Sequence, residues 1–247
     1  MATDTNASLW PCCVFRGGGT HAQPVQLTRG CSPPLAFLAP KLHLMTYCVA
    51  DDHVKLRHWL RHYVRRLGVW ANHTRLVLRM RRSASARALN ATLAAAAEFG
   101  VPPANVLRQH SPPSDAIKMA LMNEHLASLA NSDWHIYADV DEHHDYPCEL
   151  QHPPHVFNCV MGKLWDQLSD SGEIAPLTDE PDITEQYPRQ CRVRARFPHM
   201  MPDKVILVHK LGGLHSRLKD PPPHSRLSYS MHSTHRVNGT CLGVMNG

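Results

Sequence analysis

The chain has no apolar run approaching the roughly 20 residues that a bilayer-crossing helix needs, so membrane association is not encoded in these 247 residues. Its opening, MATDTNASLWPCCVFRGGG, lacks a basic segment leading into an apolar one, and no secretory signal is legible there. The eight cysteines include no C-x-x-C pair, which argues against a zinc ribbon and a thioredoxin-like centre. Also missing are G-x-x-x-x-G-K-S/T, G-x-G-x-x-G, G-x-S-x-G and H-E-x-x-H. Those absences argue against a phosphate loop, a dinucleotide fingerprint, a hydrolase elbow and a helical zinc-protease site. Charge is sparse, at 19% of residues, and the net +5 is carried by scattered arginines rather than a tract. That balance suits an anionic small molecule as well as it suits nucleic acid, so charge alone does not choose between them; the partner expected is a small molecule, with no nucleic acid.

What is present is a globular composition. Hydrophobic residues make up 43% of a chain long enough to bury a sizeable core. The 19 histidines are spread along the whole length, as ordinary surface and half-buried residues would be, and the 20 prolines crowd the second half, where loops are expected. Cys48 lies inside an apolar run and reads as a core thiol. Sequons stand at Asn6, Asn72, Asn90 and Asn238. They favour a Golgi-type lumen, whereas the absent signal favours the cytosol, and the compartment stays open between the two.

Residues 1–40 show no periodicity and read as an irregular leader. Order begins at KLHLMTYCV, residues 41–49, a strand candidate. Asp51 or Asp52 can then cap a helix running to Leu67, with Leu56, Trp59, Leu60, Tyr63, Val64 and Leu67 on one face and Gly68 as its stop. RLVLRM at 75–80 reads as a second strand, the Ala-rich stretch 83–99 as a helix ending at Gly100, and 105–108 as a short third strand. Ser114 caps a further helix to about Ala130, and WHIYA at 134–138 is a fourth strand. This alternation predicts an α/β fold, a mostly parallel sheet flanked by helices. Its second half is loop-rich, with WDQLSDSG read as a short helix and KVILVH, residues 204–209, as a strand before the Gly212-Gly213 turn. Residues 41–247 are expected to form a single domain.

The fourth strand runs straight into DVDEHHD, residues 139–145. In open α/β sheets, ligands bind outside the carboxyl ends of the strands. Residues i and i+2 of an extended segment point to the same side, so Asp139 and Asp141 can hold a divalent cation between them while Val140 points into the core. Hard carboxylate oxygens suit Mn²⁺ or Mg²⁺, which keep positions open for substrate phosphates. The plainer reading is a pair of acids capping a turn. Arg192, Arg194 and Arg196 alternate in CRVRARF and would share one strand face, there to meet a diphosphate or to keep an edge soluble.

Three segments together carry a resemblance. The first helix holds W-x-x-H-Y and a Leu-Gly-Val exit (Trp59, His62, Tyr63, Leu67-Gly68-Val69). The fourth strand holds W-x-x-x-x-D-x-D-E (Trp134, Asp139, Asp141, Glu142). A K-V-I strand then leads to GGLHS with His215. Over roughly residues 41–240 the chain resembles the GT-A glycosyltransferases of the family-2-like and family-92 (DUF23-type) group. The resemblance implies a GT-A, Rossmann-like fold and transfer of a sugar from a UDP- or GDP-sugar to a glycan or other hydroxyl acceptor, inverting the sugar's configuration. It implies that Asp139, Asp141 and His215 hold the metal, with Asp139 also reaching the donor. Glu142 becomes the candidate catalytic carboxylate, and Asp51 and Lys118 candidate donor-binding residues. A helix N-cap is the plainer role for Asp51, and a core-flanking surface position the plainer one for Lys118. His143 stands where the group commonly has an aromatic residue, and the group's C-terminal segment is only partly matched, so the domain is expected to be cut short there. Those departures keep a second class in view, a catalytically inactive binding module. A third is a metal-dependent phosphohydrolase.

Overall fold

The computed structural model describes residues 36–81, 84–111, 114–144, 146, 159–163, 165–169, 176–192, 203–209 and 241–243. Its elements in chain order are β1 (Leu42–Val49), α1 (His53–Leu60), β2 (Thr74–Arg79), α2 (Ala86–Glu98), β3 (Val106–Gln109), α3 (Asp115–Ser128) and β4 (Trp134–Tyr137). Then come β5 (Cys159–Lys163), β6 (Trp165–Leu168), α4 (Ile183–Gln186), β7 (Arg189–Arg192), β8 (Asp203–His209) and β9 (Cys241–Gly243). The chain divides into two compact units, one built on Cys31–Gly162 with Val205–Gly247, the other containing Lys163–Lys204.

In the larger unit β3, β2, β1 and β4 lie side by side, all parallel. The fold is therefore α/β, as the alternation predicts. β8 joins on the far side of β4 and runs antiparallel to it, pairing Trp134 with His209 and His135 with Val208. The sheet continues through β5 to β9. In the smaller unit β6 and β7 form an antiparallel pair, Trp165 opposite Arg192 and Leu168 opposite Arg189. Here the structure corrects the sequence reading, since Trp165–Leu168 is a strand and not the start of a helix. Its partner lies more than twenty residues onward, so the pairing that decides it is non-local and invisible to a short window.

The period of two along the strands sorts side chains to two cores. Leu42, Leu44, Leu76, Leu78, Trp134, Ile136, Ala138 and Val140 pack with Leu56, Trp59 and Leu60 of α1 and with Ala96 and Phe99 beside α2. Met45, Val77 and Tyr137 face the other way, onto Met122 and Met119 of α3. The helices thus cover both faces. Each fully buried Leu contributes about 1.5–3 kcal/mol relative to exposure. Leu38, in the segment read as leader, belongs to the first core as well. Cys48 is a buried free thiol pushed up to about 12, chiefly by burial.

Local chemistry sets the helix ends. Ser85 Oγ accepts from Ala88 N at 3.1 Å and Ser114 Oγ from Ile117 N at 3.2 Å, the bonding that makes Ser a good N-cap. The first helix departs from expectation. It is α-helical only to Leu60, then continues as a π-turn, Arg61–Arg66. Leu67 N bonds His62 O at 2.9 Å and Val69 N bonds Tyr63 O at 3.1 Å. Gly68 closes it at φ 78°, in the left-handed region that favours glycine. Such single π-turns recur at functional sites, and this one carries the H-Y of the W-x-x-H-Y motif.

Candidate functional site

β4 is buried along its whole length. Its odd-numbered side chains, on the α3 face, culminate in Asp139 one step past the last buried turn of the sheet. Asp139 Oδ1 accepts from the Tyr137 hydroxyl at 2.6 Å and from Lys118 Nζ at 2.5 Å. Lys118 rises from α3, and its ammonium also stands 4.9 Å from the centre of the Tyr137 ring. Burial, reinforced by the charge of Asp139, pushes the Tyr137 phenol far above its usual range, so it stays a donor. Val140 turns inward and is buried, as predicted.

Asp141 is exposed at the surface. Its carboxyl nonetheless sits above the usual range, because crowding thins its hydration and because Asp139 repels a second charge, while Lys55 pulls the other way. The side-chain surface is open to water, so the repulsion is the more telling cause. Glu142 folds back: its Oε2 accepts from Asp139 N at 3.1 Å, and its own N–H bonds Asp139 O at 2.9 Å. His144 Nε2 lies 3.6 Å from the same Glu142 oxygen.

The π-turn of the first helix holds the loop from the other side. His62 Nε2 donates to the His144 carbonyl at 2.9 Å. The Tyr63 hydroxyl accepts from His144 N at 3.0 Å and donates to the Glu142 carbonyl at 3.3 Å. Tyr146 OH closes on His144 Nδ1 at 3.4 Å. W-x-x-H-Y and D-x-D-E are therefore one physical unit, the first motif clamping the backbone of the second. Sequence reading missed this coupling and missed Tyr137 as the partner of Asp139. The period of two that paired Asp139 with Asp141 would also have reached back to Tyr137.

The remaining predicted residues fall elsewhere. Asp51 lies exposed in the turn after β1, its carboxylate 3.7 Å from Arg81. The helix N-cap role expected for it is not observed. That position belongs to Asp52, which makes no side-chain capping bond. His215, Asp145, Arg194 and Arg196 lie outside the described residues, as does most of the leader. Among the described residues no group of three or more His, Cys, Asp and Glu is arranged to hold a metal ion. The structure brings together Lys118, Tyr137, Asp139, Asp141 and Glu142. In comparison with known protein families and with curated proteins, no family model and no curated relative matches the chain.

Proposed function

We propose that this chain is a metal-dependent glycosyltransferase of GT-A type, moving a sugar from a UDP- or GDP-sugar to a hydroxyl of a glycan or other acceptor with inversion. The observation that supports this reading most is a pair of carboxylates, Asp139 and Asp141, just past the carboxyl end of β4, the last of four parallel strands. Their donor set fits Mn²⁺ or Mg²⁺. Hard oxygens are what such ions take, and with fewer than three protein carboxylates the remaining positions go to water and substrate phosphates. Asp141 and Asp139 would hold the ion, joined by His215 in the proposed set. When bound, the ion supplies Lewis-acid stabilisation of the charge that gathers on a departing diphosphate.

The chain's own groups supply the rest. Lys118 offers an ammonium to the donor phosphates from the α3 side. Glu142 is the proposed base for the acceptor hydroxyl, and its anchoring through Oε2 to Asp139 N fixes it on the metal-binding turn. The π-turn clamp holds that turn rigid, as a preorganised site requires. One observation favours the alternative of a non-catalytic binding module: the Lys118 ammonium already neutralises Asp139.

Incubation with a panel of nucleotide-sugars, scored for metal-dependent release of nucleoside diphosphate, separates these readings. The transferase releases it only with metal, and Asp141→Ala abolishes release. A binding module retains glycan affinity without turnover. A phosphohydrolase frees phosphate from generic esters. If Mn²⁺ and nucleoside diphosphate fail to raise the melting temperature, the transferase reading is lost.

A further inference from the structure

Two donors converge on one oxygen of Asp139: the Tyr137 hydroxyl at 2.6 Å and the Lys118 ammonium at 2.5 Å. The ion pair is not a surface ornament. The Lys118 side chain is 13% exposed and that of Asp139 26%, and the ammonium rests near the Tyr137 ring, itself packed on the methionines of α3. A half-buried pair of this kind is screened far less than one in open water. A divalent ion placed on that same oxygen would stand at close range to the ammonium, where like charges repel strongly.

We infer that Lys118 is a built-in counter-cation that a divalent metal must displace from Asp139, so that metal and donor diphosphate bind together and neither binds well alone. The inference rests on the reading of this turn as a metal and diphosphate site. A diphosphate gives the displaced ammonium a new and more highly charged partner, and the flexible four-carbon stem of lysine lets it swing there without moving α3. Before the donor arrives, the lysine keeps Asp139 neutralised. The coupling is reciprocal, because linkage requires that each ligand raise the other's affinity by the same factor.

The test measures Mn²⁺ binding from the loss of the free-ion electron paramagnetic resonance signal, with and without UDP or GDP, on the full chain. The wild type should bind Mn²⁺ about tenfold more tightly with nucleoside diphosphate than without it. Lys118→Met should bind Mn²⁺ alone about tenfold more tightly than the wild type and lose most of the nucleotide enhancement. Tyr137→Phe keeps the ammonium and should keep the enhancement, which separates charge from packing. Should Lys118→Met fail to fold, Lys118→Gln carries the same comparison with a neutral hydrogen-bonding side chain. Equal Mn²⁺ affinity of wild type and lysine variant, nucleotide absent, overturns the inference while leaving the carboxylates as a metal site. No Mn²⁺ binding by any of these proteins, with or without nucleotide, overturns the site reading and this inference with it.

Discussion

Asp139 and Asp141 are two residues apart and physically unlike. Asp139 is tied to Lys118 and Tyr137 on the α3 face, while Asp141 is exposed and feels the charge of Asp139. Removing one should therefore damage stability and removing the other should not. Asp139→Asn leaves the Lys118 ammonium without its carboxylate and should cost about 1–3 kcal/mol, the range for a part-buried polar group losing its partner. Asp141→Asn relieves repulsion and should change stability by no more than about 0.5 kcal/mol, as surface substitutions usually do. Urea unfolding of both variants checks this, and a larger loss for Asp141→Asn would contradict the geometry described.

At the scale of elements, two groups of contacts hold opposite ends of the parallel strands. Beyond the carboxyl end of β4, the π-turn grips the D-x-D-E loop through His62 and Tyr63. Tyr63→Phe deletes a hydroxyl serving both Glu142 O and His144 N. It should cost about 1–3 kcal/mol and loosen the turn, so melting temperature should fall, and under the proposed function nucleotide affinity should fall with it. At the amino ends, four histidines from different elements meet. His43 pairs in register with His135 across β1 and β4. It stacks on His73 at 4.5 Å and its Nε2 is 3.3 Å from Asp133. His125 Nδ1 and His135 Nε2 are 3.1 Å apart.

Burial, then the neighbouring Arg75 and His43, holds His125 down to about 3, and burial lowers His135 and His43 too. A histidine with a depressed folded value is stable when neutral, so its contribution is present above the unfolded value of 6.5. It is lost as pH falls below that value toward the folded one. Within that window the protonation of His125 should cost about 1.4 kcal/mol per pH unit. Unfolding free energy measured at pH 7 and pH 5.5 should show the drop, and His125→Leu should flatten it. A stability that rises on acidification would contradict the neutral, buried state of this group.

At the scale of the whole molecule, the described residues place two apolar cores on either side of the parallel strands. Leu76 is fully buried between β1 and β3 in the α1 and α2 core. Leu76→Ala should cost about 2–5 kcal/mol by lost transfer energy and the cavity left behind, read from the shift in urea midpoint at unchanged slope. A cost under about 1 kcal/mol would mean that the core relaxes into the gap rather than keeping its packing.

Local sequence was enough for the βαβ rhythm, for all four parallel strands to within a residue at each end, for helix starts at Ser114 and within two residues of Ser83, and for the inward turn of Val140. These follow from period, capping and punctuation, which act over a few residues. It also put Asp139 and Asp141 forward as the proposed site, because strand ends in such sheets are where ligands bind. Only the tertiary structure decided that Lys118 meets Asp139, that His62 and Tyr63 clamp the loop 79 to 82 residues away, that Asp51 faces Arg81, and that Trp165–Leu168 pairs as a strand. Each of those outcomes depends on which faces of separate elements come together. That is settled by burial and hydrogen-bond satisfaction across the fold, and no short window of sequence contains it.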